Sequence, residues 1–105
     1  MCETSQIDMG ILSKAVLVWT GYADASHPTR EDAALESVFP SEQAAKLAGI
    51  VKRLEADFYR SSAHATASNL SEMSRIARSD FRRMHPELPQ LIADVFAWCY
   101  TFDYK

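Results

Sequence analysis

Between Glu42 and Phe58 the sequence repeats Leu47, Ile50, Val51, Leu54 and Phe58 at the spacing of one helix face, while Lys46, Lys52, Arg53, Glu55 and Asp57 fall largely away from it. Such a stripe is stable only when another apolar surface covers it. The rest of the chain must supply that cover, and most of it carries the same 3.6-residue period. Only three glycines and four prolines interrupt 105 residues, which leaves room for helices joined by short links.

Ser5 or Thr4 is placed to cap a first helix with Asp8 in its first turn, and Ile11, Leu12, Ala15, Val16, Trp19 and Tyr22 recur at helical spacing. Leu17 and Val18 widen its apolar arc, which puts it near the centre. Gly21 and the run from Asp24 to Pro28 end it. Thr29 with Asp32 then makes a capping-box-like start for a short helix through Val38, before Pro40 and Ser41 punctuate again. After the helix from Glu42, residues 61–68 are small and polar, either a loop or a weak helix extension. Asn69 caps the next helix, with Glu72 completing the box. Leu70, Met73, Ile76, Ala77, Phe81 and Met84 form the stripe of this helix, and His85-Pro86 closes it.

Five of the eleven aromatic residues crowd into residues 86–105. Read as a helix, Leu91, Ile92, Val95, Trp98, Cys99 and Phe102 share one broad core face, and Phe96, Tyr100 and Tyr104 form a second stripe at i, i+4 and i+8. A small domain has little interior in which to hide both, so the second stripe is a candidate contact for a partner. Phe96, Trp98, Tyr100, Phe102 and Tyr104 also alternate at period two, a strand pattern. Pro89, good helix formers from Gln90 to Ala97 and the lack of a preceding hairpin turn favour helix to about Tyr100, with an extended end. The expected fold is all-α: a compact antiparallel bundle of about five helices, one of them short, in a single domain over 1–105.

Charge is unevenly spread. In residues 1–45, Lys14 and Arg30 stand against Glu3, Asp8, Asp24, Glu31, Asp32, Glu36 and Glu42, whereas residues 46–83 are basic. An acidic front steers basic partners. The opening Met-Cys-Glu-Thr lacks the basic start of a secretory signal, and Ile11 to Trp19 is too short to cross a bilayer, so a cytoplasmic protein away from membranes is expected. Cys2 and Cys99 have no metal or redox spacing and are expected to be free thiols, Cys99 in the core.

No set of residues announces catalysis. His27, His64 and His85 fall in or beside separate turns without H-x-x-x-H or E-x-x-H spacing, and Gly10, Gly21 and Gly49 are isolated. Catalytic residues, a metal and a cofactor are therefore not expected. Gln43-Ala-Ala-Lys-Leu-Ala-Gly-Ile-Val51 resembles the start of a helix-turn-helix, with Ala45 and Gly49 where that motif places its alanine and its turn, which would imply a DNA-binding regulator. Glu55 departs from that pattern, and the apolar stripe runs through Gly49 without losing phase. Arg75, Arg78, Arg82 and Arg83 could meet phosphate, or be a solvated face paired with Glu72 and Asp80.

The leading expectation is a non-catalytic protein-binding domain, in concrete form an inhibitor or bacterial immunity protein that neutralises a basic toxin such as a nuclease. Glu31, Asp32, Glu36 and Asp103 would supply charge, and Phe96, Tyr100 and Tyr104 would supply anchors. The alternatives are the helix-turn-helix regulator and a small enzyme or ligand-binding bundle with a pocket among Trp19, Phe81 and Trp98.

Overall fold

In the computed structural model, which describes residues 8–22 and 26–104, the helices are α1 (Met9–Thr20), α2 (Asp32–Glu36), α3 (Ser41–Phe58), α4 (Ala63–Thr66), α5 (Leu70–Met84) and α6 (Gln90–Tyr104). They take up 73% of the described residues, among which there is no strand, so the all-α expectation holds. The five expected helices are all present. The sixth, α4, is a single turn within the polar stretch left open between loop and helix.

Local chemistry fixes most boundaries. Asp8 is the cap of α1 and not part of its first turn: its carboxylate accepts from the backbone N–H of Gly10 at 2.7 Å and of Ile11 at 3.2 Å. The expected caps Ser5 and Thr4 lie outside the described residues. Gly21 ends α1 at φ 73°, a left-handed conformation natural to glycine, and its N–H returns to the Leu17 carbonyl. Tyr22 is consequently past the helix and exposed.

The expected capping box at Thr29 and Asp32 does not form, because both side chains serve α1 instead. The Thr29 hydroxyl donates to the Trp19 carbonyl at 3.3 Å, and Asp32 accepts from the Trp19 indole N–H at 2.9 Å. The short α2 ends at Glu36. By contrast Asn69 caps α5 as expected, accepting from the Glu72 N–H at 2.8 Å, while the Glu72 carboxylate accepts from the Ser68 N–H at 2.8 Å, one residue before the cap.

Helix α3 is the hub, packed on α1, α2, α5 and α6. It runs unbroken through Gly49, which is exposed and in helical conformation, so the turn that a helix-turn-helix requires is absent. Its stripe from Leu47 to Phe58 is buried, and the Phe58 ring meets Phe81 at 5.2 Å, Tyr100 at 5.6 Å and Phe96 at 6.0 Å. On α5 only the middle of the stripe, Met73, Ala77 and Phe81, is fully covered; Leu70 and Met84 at its ends are exposed. The body is flattened, 43 × 33 × 17 Å, and a thin slab of helices leaves outer faces without a covering layer.

Helix α6 returns antiparallel along α5, with Arg78 paired to Asp94 at 3.2 Å and the Arg82 guanidinium donating to the Leu88 carbonyl at 3.2 Å. It stays helical to Tyr104, beyond the expected end near Tyr100. Side-chain contacts hold its last turn: Asp103 accepts from Arg30 at 2.7 Å and from the Tyr59 hydroxyl at 2.5 Å, and Tyr104 stacks on His64 at 4.3 Å.

Candidate functional site

The two apolar faces of α6 depart from the sequence expectation at five positions, while Ile92, Val95 and Cys99 are buried and Tyr104 is exposed as expected. Phe96 and Tyr100, expected on a partner-facing stripe, are fully buried, while Leu91 and Phe102, expected in the core, are exposed and Trp98 is half-buried. Ile92, Val95 and Cys99 belong to the core either way. The physical reason is the width of the arc: apolar residues cover well over half of this helix, so hydrophobicity alone does not say which edge faces water. A finer signal is present. Asp94, Trp98 and Thr101 succeed one another at i, i+4 and i+7, and the one charged residue between Gln90 and Phe102 marks the solvent side.

Tyr100 belongs to the core through its hydroxyl as well as its ring. The hydroxyl donates to the Ser61 carbonyl at 2.8 Å and accepts from the His64 backbone N–H at 3.1 Å. It also lies 2.8 Å from His64 Nδ1.

The other expected contact residues are scattered and partly engaged. Asp32 is bound by Lys52 at 2.7 Å as well as by Trp19, and these hydrogen bonds, Lys52 first, hold its carboxyl below the usual range. Asp103 is tied to Arg30 and Tyr59. Glu31 and Glu36 are exposed on and beside α2. Tyr104 is exposed but lies over His64 and Tyr59. The structure therefore does not gather these seven residues into one surface.

Around Arg30 a network has formed that the sequence did not announce. Its guanidinium donates to Glu55 at 2.6 Å, to the Tyr59 hydroxyl at 2.8 Å and to Asp103, joining the loop before α2 to α3 and α6. Arg30 sits at φ 53°, a left-handed backbone that an arginine adopts only when its contacts hold it there. Burial works to lower its pKa, but Glu55, aided by Tyr59 and Asp103, outweighs this and raises it. Burial, then the bond to Asp103, pushes Tyr59 well above its ordinary value. Both groups keep their protons, which suits a clamp. Burial pushes the nearby Cys99 thiol up to about 12, which suits an inert core residue.

His85 lies beside Asp57 at 2.9 Å and Glu87 at 3.7 Å; the pairing with Asp57 spans too much sequence to be read from spacing. Among the described residues no group of three His, Cys, Asp or Glu could hold a metal ion, and no helix is long and apolar enough to cross a membrane. Trp19 and Phe81, expected to line a pocket with Trp98, are both buried in the core.

Trp98 instead lines an open groove of about 450 Å³ between the start of α5 and the end of α6, with Leu70, Ser71, Ser74, Thr101, Phe102 and Ser26. Tyr22 packs edge-on against the Trp98 ring at 5.2 Å. The groove has apolar walls and a hydroxyl rim, a surface that can seat an apolar side chain and hydrogen-bond the backbone carrying it. Comparison with protein-family models, curated proteins and solved structures finds no match.

Proposed function

We propose that this chain is a protein-binding domain whose contact surface is the outer face of α6 and the adjoining edge of α5. The observation that supports this reading is the juxtaposition of exposed Leu70 and Phe102 with half-buried Trp98 around one groove. Adjacent large apolar groups of this kind are costly to leave in water and are enriched where partners dock. Trp98 and Phe102, not Phe96 and Tyr100, are the aromatic anchors.

A photo-crosslinking residue placed at Phe102 tests this in cells. Adducts to one protein from position 102, and none from exposed Ser79 on the same hairpin, are expected. No adduct at 102, or equal labelling at 79, overturns the reading. A second reading, inhibition of a basic nuclease, is favoured by the exposed carboxylates of Glu31 and Glu36. It is distinguished by an adduct to such an enzyme from position 36.

A further inference from the structure

The groove is only one end of a longer face. On α5, Ser71, Ser74, Arg75, Arg78 and Arg82 fall within about 100° of one another at helical spacing, and on α6 so do Leu91, Asp94, Trp98, Thr101 and Phe102. Because the two helices run antiparallel, these stripes lie side by side in a fixed order. Leu70, Trp98 and Phe102 occupy one end with neutral hydroxyls around them. Arg75, Arg78 and Arg82 continue toward the other end, with Asp94 the carboxylate among them, held by Arg78 and by the Gln90 amide. Glu72, at the edge, accepts from the Ser68 N–H and hydroxyl and attracts Arg75, so that two carboxylates stand against three guanidinium groups. The face is thus apolar at one end and carries an excess of positive charge at the other.

We propose that this face receives an acidic amphipathic segment of a partner protein, an inference that rests on the protein-binding reading above. Its apolar side chains sit between Leu70, Trp98 and Phe102, and its carboxylates meet Arg75 and Arg78. Charge complementarity sets the sign, since a basic segment on this face would set cation against cation. The stripe from Ser71 to Arg82 is about 16 Å long at helical rise, which fits about three turns of a docked helix. The apolar end favours protein over nucleic acid. A nucleic acid strand needs phosphate contacts along its whole track and open ring faces for stacking. Here the groove rim is uncharged, and the Trp98 ring is already edge-packed by Tyr22.

The test is selection of displayed random peptides on the full chain, followed by affinity measurement on the winners and on a thymidine oligonucleotide. Winners that combine Asp or Glu with Leu, Phe, Trp or Met are expected. Phe102→Ala and Leu70→Ala should each weaken them about tenfold. Arg75→Glu should weaken them about tenfold at about 0.05 M salt and much less at about 1 M salt, because exposed charges are screened. All three side chains are exposed enough for the fold to survive, which circular dichroism checks. Winners that are basic or neutral and ignore Arg75→Glu, yet are lost with Phe102→Ala, overturn the acidic partner and leave the protein-binding reading standing. Winners indifferent to Phe102 and Leu70, or no enrichment, overturn both. An oligonucleotide that outcompetes every peptide and depends on Arg75 overturns the proposal in favour of nucleic acid.

Discussion

Tyr100→Phe isolates a single buried hydroxyl. The ring keeps its contacts with Tyr104 at 4.8 Å, Tyr59 at 5.1 Å and Phe58 at 5.6 Å, so packing is nearly unchanged. Two backbone groups lose their partner, the Ser61 carbonyl and the His64 N–H. Ser61 is 6% exposed and its carbonyl bears the full cost of burial without a hydrogen bond, whereas His64 is exposed and water can replace what it loses. One unsatisfied buried group costs about 1–3 kcal/mol, so Tyr100→Phe should destabilise by about 2 kcal/mol. Tyr100→Ala also leaves a ring-sized cavity and should cost about 4 kcal/mol or more. Urea denaturation followed by far-ultraviolet circular dichroism measures both. A loss below about 0.5 kcal/mol for Tyr100→Phe would refute the argument, because a solvated hydroxyl is worth that little. Partner affinity should be unchanged by Tyr100→Phe, and faster dissociation at unaltered stability would return Tyr100 to the interface.

At Arg30, Ala should destabilise by about 2 kcal/mol, since partly buried Glu55 loses its cation, and Gly should recover about 1 kcal/mol of that because φ 53° suits it; equal stability of the two variants in urea would deny the left-handed backbone. Leu54→Ala should cost about 2–5 kcal/mol by the same measurement, a small change meaning that α3 is not central. Asp32 has a lowered folded pKa, so its stabilising contribution is fully present above the unfolded value of about 3.9 and is lost as pH falls through the folded value. Asp32→Asn should therefore flatten stability against pH in that acid window, and an unchanged acid limb would contradict the Lys52 and Trp19 bonds. Native Cys99 should resist iodoacetamide until urea unfolds the chain, as followed by peptide mass spectrometry, and rapid native labelling would mean the thiol is accessible.

The part of the fold that was legible in the sequence is the part set by neighbours along the chain. The stripe from Leu47 to Phe58, the Asn69 cap and the stop at Gly21 each depend on residues within a few turns, and each is found as expected. The misreadings arise where a side chain found a distant partner. Asp32 left its capping box for an indole 13 residues away, and Asp103 kept α6 helical by reaching Arg30, 73 residues earlier. Local propensity carries no information about such pairs, so the network around Arg30 and the pairing of His85 with Asp57 could not be read from spacing.

Phe96 and Tyr100 are buried, against expectation, for a different physical reason. A helix buried on one side in a thin slab needs only about half of its circumference apolar, yet α6 is apolar over more than that. The excess had to be exposed somewhere, and aromatic content alone selected the wrong edge. Asp94 breaks the tie: an aspartate is rarely buried unless paired, so the stripe that contains it faces water, and Trp98 and Phe102 lie on that stripe. The same carboxylate then sits among Arg78, Arg75 and Arg82, where it reduces but does not cancel the positive charge beside the groove. Asp94→Asn should accordingly strengthen binding of an acidic segment at low salt, since it removes one negative charge from this face while keeping a polar group near Arg78. Affinity measured against a selected acidic peptide should rise about two- to fivefold in Asp94→Asn and converge with the wild type at high salt. Weaker binding of the acidic peptide would mean that the pair with Arg78 serves to position the guanidinium, and that the excess of positive charge is not what attracts the partner.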